Sequence, residues 1–171
     1  MRLFFALRPD IDVATQLANV AAQIPISESG RLVSTNNYHL TVAFVGEVAT
    51  ARLETLRQIG KSLRAACGTV VLDSMEFWPQ SKAVVAVART VPPGLRRLSR
   101  QLQDALALPE TQFRAHVTLA RKVAQAPVPQ AMSPILWHPT SVALIRSDTG
   151  GKESAYTVLD TWSLLDEKLN P

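Results

Sequence analysis

Apolar residues recur every three or four positions in three segments of the chain, which is the spacing of one face of an α-helix. The recurring positions are Val13, Leu17, Val20, Ala21 and Ile24, then Leu53, Leu56, Ile59 and Leu63, then Leu95, Leu98, Leu102 and Leu106. Asp10 and Thr50 precede the first two segments and are predicted N-caps, Pro25 is predicted to end the first, and a proline pair opens the third. The pattern therefore predicts three amphipathic helices.

Between these helices lie apolar runs rich in β-branched and aromatic residues, which are typical of strands. The runs cover 2–9, 31–34, 38–48, 68–79, 82–90, 112–123, 140–147 and 155–165. Short connections favour antiparallel pairing, and the mixture of elements predicts an α+β fold. Each half of the chain carries a helix and one strand containing His-x-Thr, so we expect a single domain over 1–171 built from two pseudo-symmetric lobes.

Two of these strands carry nearly the same phrase, "HLTVAF" at 39–44 and "HVTLAR" at 116–121. Successive side chains of a strand point to opposite faces, so His39 and Thr41 share one face, as do His116 and Thr118. Each strand is therefore predicted to present an imidazole and a hydroxyl side by side over an apolar backing.

Two imidazoles and two hydroxyls that converge on one volume suit a phosphodiester. One imidazole can accept a proton from an attacking water while the other donates a proton to the leaving oxygen. The hydroxyls can donate hydrogen bonds to phosphate oxygens, and Arg121 could add a charge-assisted contact. A single strand histidine is more often structural, but two in matching phrases favour a shared site.

Other chemistries lack their motifs. The chain has no H-x-H, H-E-x-x-H or cysteine-pair spacing for a metal, and no Gly-rich phosphate loop or G-x-S-x-G elbow. The third histidine, His138, lies between Trp137 and Pro139 and is interpreted as structural or as part of an exposed turn. The single cysteine, Cys67, cannot form an internal disulfide and is interpreted as a small buried hydrophobe.

The composition is that of a globular protein, with 47% hydrophobic and 19% charged residues among 171. No apolar run is long enough to cross a bilayer, and the opening residues do not form a signal peptide, so we expect a cytoplasmic protein without membrane contact. We also expect it to work as a monomer. The formal charge of +4 mildly favours anionic partners.

The two phrases also resemble the signature motifs of a known superfamily. "HLTVAF" followed by "VGEV", together with "HVTLAR", resembles the two-histidine phosphoesterases, specifically the bacterial and archaeal RNA 2′,3′-cyclic phosphodiesterases, historically called 2′-5′ RNA ligases. The likeness runs nearly end to end and includes "RLFFAL", the approach through Asn37 and Tyr38, the pair Arg146 and Ser147, and the closing "YTVL" at 156–159.

This resemblance implies a bilobal fold whose two His-x-Thr strands face each other across a central cleft. It implies opening of a terminal 2′,3′-cyclic phosphate on RNA to a 2′-phosphate, without metal or other cofactor. His39 would be the acid that protonates the departing 3′-oxygen and His116 the base, while Thr41 and Thr118 would bind the phosphate. RNA ends or small cyclic nucleotides are the partners it implies.

The chain also departs from the family pattern. The family often has Pro before the second histidine, where this chain has Ala115, and another residue type where it has Arg114. Arg114 is therefore either a substrate contact or a solvated strand residue. Phe44, Trp78 and Tyr156 could stack on a base. The alternative for Phe44 and Trp78 is a core position, which is commoner for strand aromatics.

Three functional alternatives stay open. The chain could make or cleave 2′-5′ linkages, it could act on another nucleotide phosphodiester such as an ADP-ribose cyclic phosphate, or it could be a non-catalytic module that binds RNA or a protein partner. The motifs contact the phosphate and not the base, so they do not choose among substrates. Intact paired histidines argue against the binding module, which would need no proton carrier.

Overall fold

The computed structural model describes residues 1–26, 29–109, 112–126, 132–148 and 155–165. The helices are α1 (Ile11–Ala21), α2 (Leu53–Ser62) and α3 (Pro93–Leu106). The strands are β1 (Arg2–Leu7), β2 (Arg31–Leu32), β3 (Leu40–Glu47), β4 (Val70–Leu72), β5 (Ser74–Trp78), β6 (Ala83–Val87), β7 (His116–Arg121), β8 (Ile135–Trp137), β9 (Ser141–Asp148) and β10 (Ala155–Ser163). Within these ranges no helix is both long and apolar enough to cross a bilayer.

Most strands belong to two four-stranded antiparallel sheets. The first has the order β10-β9-β1-β3 and the second β2-β7-β6-β5, while β4 and β8 form a separate pair. The two His-x-Thr strands therefore lie in different sheets, and β3 contacts β7 where the sheets meet. This arrangement confirms the predicted α+β fold with two antiparallel lobes.

The lobes follow the same local pattern of strand, helix and antiparallel strand. In the first lobe β1 pairs with β3 across α1, and in the second β6 pairs with β7 across α3. The lobes are nevertheless not the two halves of the chain, because β9 and β10 return to the first sheet and β2 pairs with β7 in the second. The helices also cross over, since α1 contacts β7 and α3 contacts β3.

The apolar stripes predicted from the sequence form the core between these layers. Val13, Leu17 and Ala21 of α1 are buried, and so are Leu95 and Leu98 of α3. A fully buried leucine contributes about 1.5–3 kcal/mol relative to an exposed one, so these stripes fix how the helices lie on the sheets. Asp10 caps α1 as predicted, with its carboxylate accepting from the Val13 N–H at 2.9 Å.

Thr50 does not cap α2, so that prediction is wrong. It begins a 3₁₀ turn, Thr50–Arg52, and α2 starts after it without a side-chain cap. Gly60, which looks like a defect in this helix, is required by packing. A Cβ placed there would lie 2.5 Å from the ring of Trp162 on β10.

The run 68–79 is two strands rather than one. Asp73 interrupts it: its N–H donates to the carbonyl of Val87, and its carboxylate accepts from the N–H and Nε of Arg89. β4 then pairs with β8, a strand that the sequence did not predict, whereas β5 forms the predicted hairpin with β6. α1 also ends at Ala21, four residues before Pro25.

Candidate active site

The two histidines occupy equivalent places at the starts of the facing strands. His39 directly precedes β3 and His116 is the first residue of β7. Both are half-buried, as are Thr41 and Thr118, while the residues between them, Leu40 and Val117, are fully buried. Burial alternates with period two, as strand geometry predicts. Each imidazole and hydroxyl therefore share a face that points away from the core.

Each imidazole is held by the same local hydrogen bond. Nδ1 of His39 lies 2.7 Å from the carbonyl oxygen of Asn37, and Nδ1 of His116 lies 2.7 Å from the carbonyl oxygen of Arg114. A carbonyl only accepts, so Nδ1 carries the hydrogen in both rings. When the ring is neutral, Nε2 is consequently the basic nitrogen, and it is available to take or return a proton.

Aromatic rings pack against both imidazoles. The His39 ring lies 4.9 Å from the centre of Phe4 and 4.9 Å from Tyr156, the latter edge-on. The His116 ring lies 4.4 Å from Trp78. These contacts, together with the Nδ1 hydrogen bonds, restrict rotation of the rings and fix the direction of each Nε2.

Burial and positive neighbours make both imidazoles weakly basic. Desolvation lowers the pKa of His39 to about 4, against the hydrogen bond to Asn37, and the charges of Arg121, His116 and Arg8 lower it further. Desolvation also lowers the pKa of His116, with Arg114 and Arg121 adding to the effect. The influence of His116 and Arg121 on His39 shows that the groups are close enough to interact. The site is therefore positive and prepared for an anion.

A cleft of about 440 Å³ opens between β3 and the segment that leads into β7. Thr41, Phe44, Trp78, Arg114 and His116 line it. Arg121 lies at the end of β7, and it lines a neighbouring recess with Tyr156 and Asn37. A second small recess joins His39 to Tyr156 and Arg8. Of the predicted site residues, Thr41, Phe44, Arg114 and His116 thus share the cleft, and Tyr156 lies in the recesses of both His39 and Arg121. Thr118 lines none of these three openings.

Comparison with known proteins identifies relatives over nearly the whole chain. Residues 7–87 match the family model described as LigT like Phosphoesterase. The RNA 2′,3′-cyclic phosphodiesterase of Escherichia coli (strain K12) is 30% identical over 169 residues, which cover 95% of this chain and 96% of that protein. The chain belongs to the LigT-like phosphoesterase family. The RNA 2′,3′-cyclic phosphodiesterase of Thermus thermophilus is 29% identical, over 98% of this chain and 92% of that protein.

Solved structures of LigT-like phosphoesterases share the whole fold. The apo form of E. coli LigT matches with a TM-score of 0.84 at 29% identity, covering 96% of this chain and 98% of that one. The same protein complexed with 3′-AMP matches with 0.84 at 30% identity and the same coverage. The expected membership of the two-histidine phosphoesterases is confirmed, and with it the expectation of a phosphodiester hydrolase.

In this LigT-like phosphoesterase, Arg114 departs from the family pattern. Its side chain is held by its neighbours and is not simply solvated. Nη2 of Arg114 contacts both carboxylate oxygens of Glu76 at 2.9 and 2.7 Å, and the guanidinium lies 5.0 Å from the centre of the Trp78 ring. Glu76 also accepts from Nε1 of Trp78 at 2.8 Å. The indole hydrogen bond and then Arg114 lower the pKa of Glu76. Arg114 therefore braces the wall beside His116.

Glu76 was missed from the sequence. Its signal is weak: it stands two residues before Trp78 and so shares a strand face with it, but its pairing to Arg114 spans 38 positions.

Phe44 is 46% exposed and so is not a core residue, and the guanidinium of Arg2 lies 4.8 Å from its ring. Trp78 is only partly buried, against Ala83, Val85 and Val87.

The third histidine lies outside this site. Nδ1 of His138 and the hydroxyl of Thr69 are 3.0 Å apart, in an exposed position beside the β4–β8 pair. Cys67 is buried, as the sequence suggested. Among the described residues no three side chains of the metal-binding types come together.

Proposed function

We propose that this phosphoesterase hydrolyses 2′,3′-cyclic phosphates at RNA ends, or on small cyclic nucleotides, and leaves a 2′-phosphate. The observation that carries the proposal is the pair of His-x-Thr strands, in which matching Nδ1 hydrogen bonds leave Nε2 of each imidazole as the nitrogen that can exchange a proton. The curated relatives named RNA 2′,3′-cyclic phosphodiesterase support the choice of substrate.

In the proposed reaction, Nε2 of His116 removes a proton from a water molecule as the water oxygen bonds to phosphorus. The bond between phosphorus and the 3′-oxygen breaks, and Nε2–H of His39 delivers its proton to that oxygen. The product carries a 2′-phosphate and a free 3′-hydroxyl, and a proton passes from His116 to His39 through solvent to restore the enzyme. Atoms and charge balance with water as the only co-reactant.

Thr41 and Thr118 are proposed to donate hydrogen bonds to the two non-bridging phosphate oxygens. Each hydroxyl lies on the same strand face as its histidine, one from each lobe. Arg121 supplies positive charge near both imidazoles, as its effect on their pKa values indicates. These groups stabilise the charge that builds up on phosphorus-bound oxygens in the transition state.

The electrostatics of the site favour coupling between substrate binding and protonation. A protein with both imidazoles weakly basic carries few protons on them at neutral pH. The negative charge of a bound phosphodiester favours imidazolium and raises the pKa of the neighbouring histidine. The substrate therefore helps to supply the acid form that its own reaction requires.

The assay uses adenosine 2′,3′-cyclic phosphate and a short oligoribonucleotide with a cyclic end, both with excess chelator. His39→Gln and His116→Gln should each reduce kcat by about 10²–10⁴-fold, the usual range for loss of a general acid or base. His138→Gln is the matched control and should retain full activity. No turnover by the native protein would contradict the proposal and favour a binding module, whereas turnover that survives both substitutions would contradict catalysis by the two histidines.

The assignment of acid and base has its own test. In a substrate whose bridging 3′-oxygen is replaced by sulfur, the thiolate leaves without protonation, so loss of the acid matters little. His39→Gln should recover most of its activity on that substrate, whereas His116→Gln should not. Recovery by His116→Gln alone would reverse the assignment.

We also propose that residues 1–171 are one folding unit that works as a monomer in the cytoplasm. Each sheet combines strands that are far apart in the chain, and this supports a single folding unit. Sedimentation at micromolar concentration should give a mass of about 18.7 kDa. A dimer under these conditions would contradict the monomer.

A further inference from the structure

A second, larger groove adjoins the catalytic cleft. It has a volume of about 790 Å³ and runs between the segment that follows β6 and one edge of α3. It shares with the cleft the wall formed by Gln103, Gln112, Phe113 and Arg114. A chain that leaves the cleft past Arg114 therefore enters this groove directly.

The groove is basic, and two of its arginines are not neutralised by any described residue. Arg96 and Arg100 lie on its wall, both exposed, one helical turn apart on α3, which separates their backbones by about 6 Å along the helix axis. Neither forms an ion pair with an acidic side chain of the described residues. The other charged side chains that line the groove already form ion pairs, Arg114 with Glu76 and Arg89 with Asp73.

These two guanidinium groups suit consecutive phosphates of a single strand. Guanidinium binds phosphate oxygens through paired, charge-assisted hydrogen bonds, and such contacts position a strand without reading its sequence. The groove is open to solvent along one side. A flexible strand can therefore lie in it without passing through an enclosed channel. The groove lies on the His116 side of the site, next to the wall that Arg114 and Glu76 brace.

We propose that this groove binds the backbone phosphates of the RNA strand upstream of the reacting end, with Arg96 and Arg100 as phosphate contacts. The inference rests on the proposed function for its substrate, and it adds a binding site that chemistry at the cyclic phosphate does not require. It follows that oligonucleotides bind more tightly than mononucleotides, and that the difference is sensitive to salt.

The test compares Arg96→Gln/Arg100→Gln with a matched control, Arg97→Gln, on two substrates. Arg97 lies on the same helix and is also exposed, but it does not line the groove. For a cyclic-ended oligoribonucleotide, the double variant should raise KM by about three- to tenfold at low salt, with kcat unchanged. For adenosine 2′,3′-cyclic phosphate both constants should stay at the native values. Arg97→Gln should resemble the native protein on both substrates.

The salt dependence gives an independent readout. Each phosphate contact to a single strand contributes about −0.7 to the slope of log affinity against log salt, so the double variant should lose about 1.4 from the slope. Fluorescence anisotropy with a labelled oligoribonucleotide ending in a 2′-phosphate measures this slope without turnover. Circular dichroism melting of all variants checks that they are folded.

The outcomes separate the groove from the reaction. If the native protein turns over neither substrate, the proposed function fails, while the anisotropy slope still reports on the groove. If the double variant matches Arg97→Gln in KM, affinity and slope, the groove does not bind the strand and the inference is wrong. An equal loss on the mononucleotide would also overturn it, because that substrate has no upstream phosphate.

Discussion

Lowering the pH should destabilise this protein in a way that depends on His39. Desolvation holds the pKa of His39 at about 4 in the folded chain, whereas an unfolded chain has an ordinary imidazole pKa of about 6.5. As pH falls from 6.5 towards 4, the unfolded state therefore binds a proton that the folded state refuses. The free energy of unfolding must therefore decrease as the pH falls from 6.5 to 4. Above pH 6.5, His39 does not affect it.

The size of the effect follows from the two pKa values. At pH 4.5 the unfolded imidazole is almost fully protonated, while His39 in the folded protein is protonated in about a quarter of molecules. Relative to pH 7.5, this difference removes about 2.5 kcal/mol from the free energy of unfolding. Such a loss is a large part of the stability of an ordinary domain, about 5–15 kcal/mol.

Urea unfolding followed by tryptophan fluorescence at pH 7.5 and 4.5 measures this change. Other groups also titrate, so the comparison is with His39→Gln, in which every other group is kept. The loss on acidification should be about 2.5 kcal/mol greater in the native protein than in the variant. An equal loss in both proteins would show that His39 titrates normally when folded, and the account of its burial would be refuted.

Three further outcomes are expected. The pH profile of kcat/KM should peak below pH 6.5, because the active free enzyme holds one proton between His39 and His116 and both have lowered pKa values; a peak above 7 would contradict this. Gly60→Ala should lower the free energy of unfolding by about 1–2 kcal/mol through its clash with Trp162, despite better helix propensity, and a raised melting temperature would disprove the clash. Asp10→Ala should cost about 1 kcal/mol in thermal or urea unfolding through loss of the α1 cap, whereas Asp10→Asn, which keeps an accepting oxygen, should cost less.

Features set by neighbouring residues could be predicted from the sequence. The apolar stripe of α1 and its cap at Asp10 need only helix geometry, and the shared face of His39 and Thr41 needs only strand alternation. The recurrence of the same pair at His116 and Thr118 then indicated a joint site. Each of these patterns, taken singly, extends over only a few residues of the chain.

Features that depend on distant pairing could not be predicted in this way. The bracing of Arg114 by Glu76 joins two side chains with no local signature, because register across a sheet fixes it. The split at Asp73 required knowledge that Arg89 would lie beside that carboxylate. Phe44 resembled a core residue because apolar character is visible in a sequence, whereas the end of the core is not.

The crossing of the helices has a consequence for how this enzyme selects its substrates. α1 follows a strand of the first sheet but contacts β7, and α3 follows a strand of the second but contacts β3, so each lobe packs against the His-x-Thr strand of the other. Pulling the lobes apart would expose apolar side chains such as Leu17 and Leu98 to water. We therefore expect the spacing of β3 and β7 to stay the same when a substrate binds, so that substrates are selected by their fit to a preformed site and not by closure of the lobes.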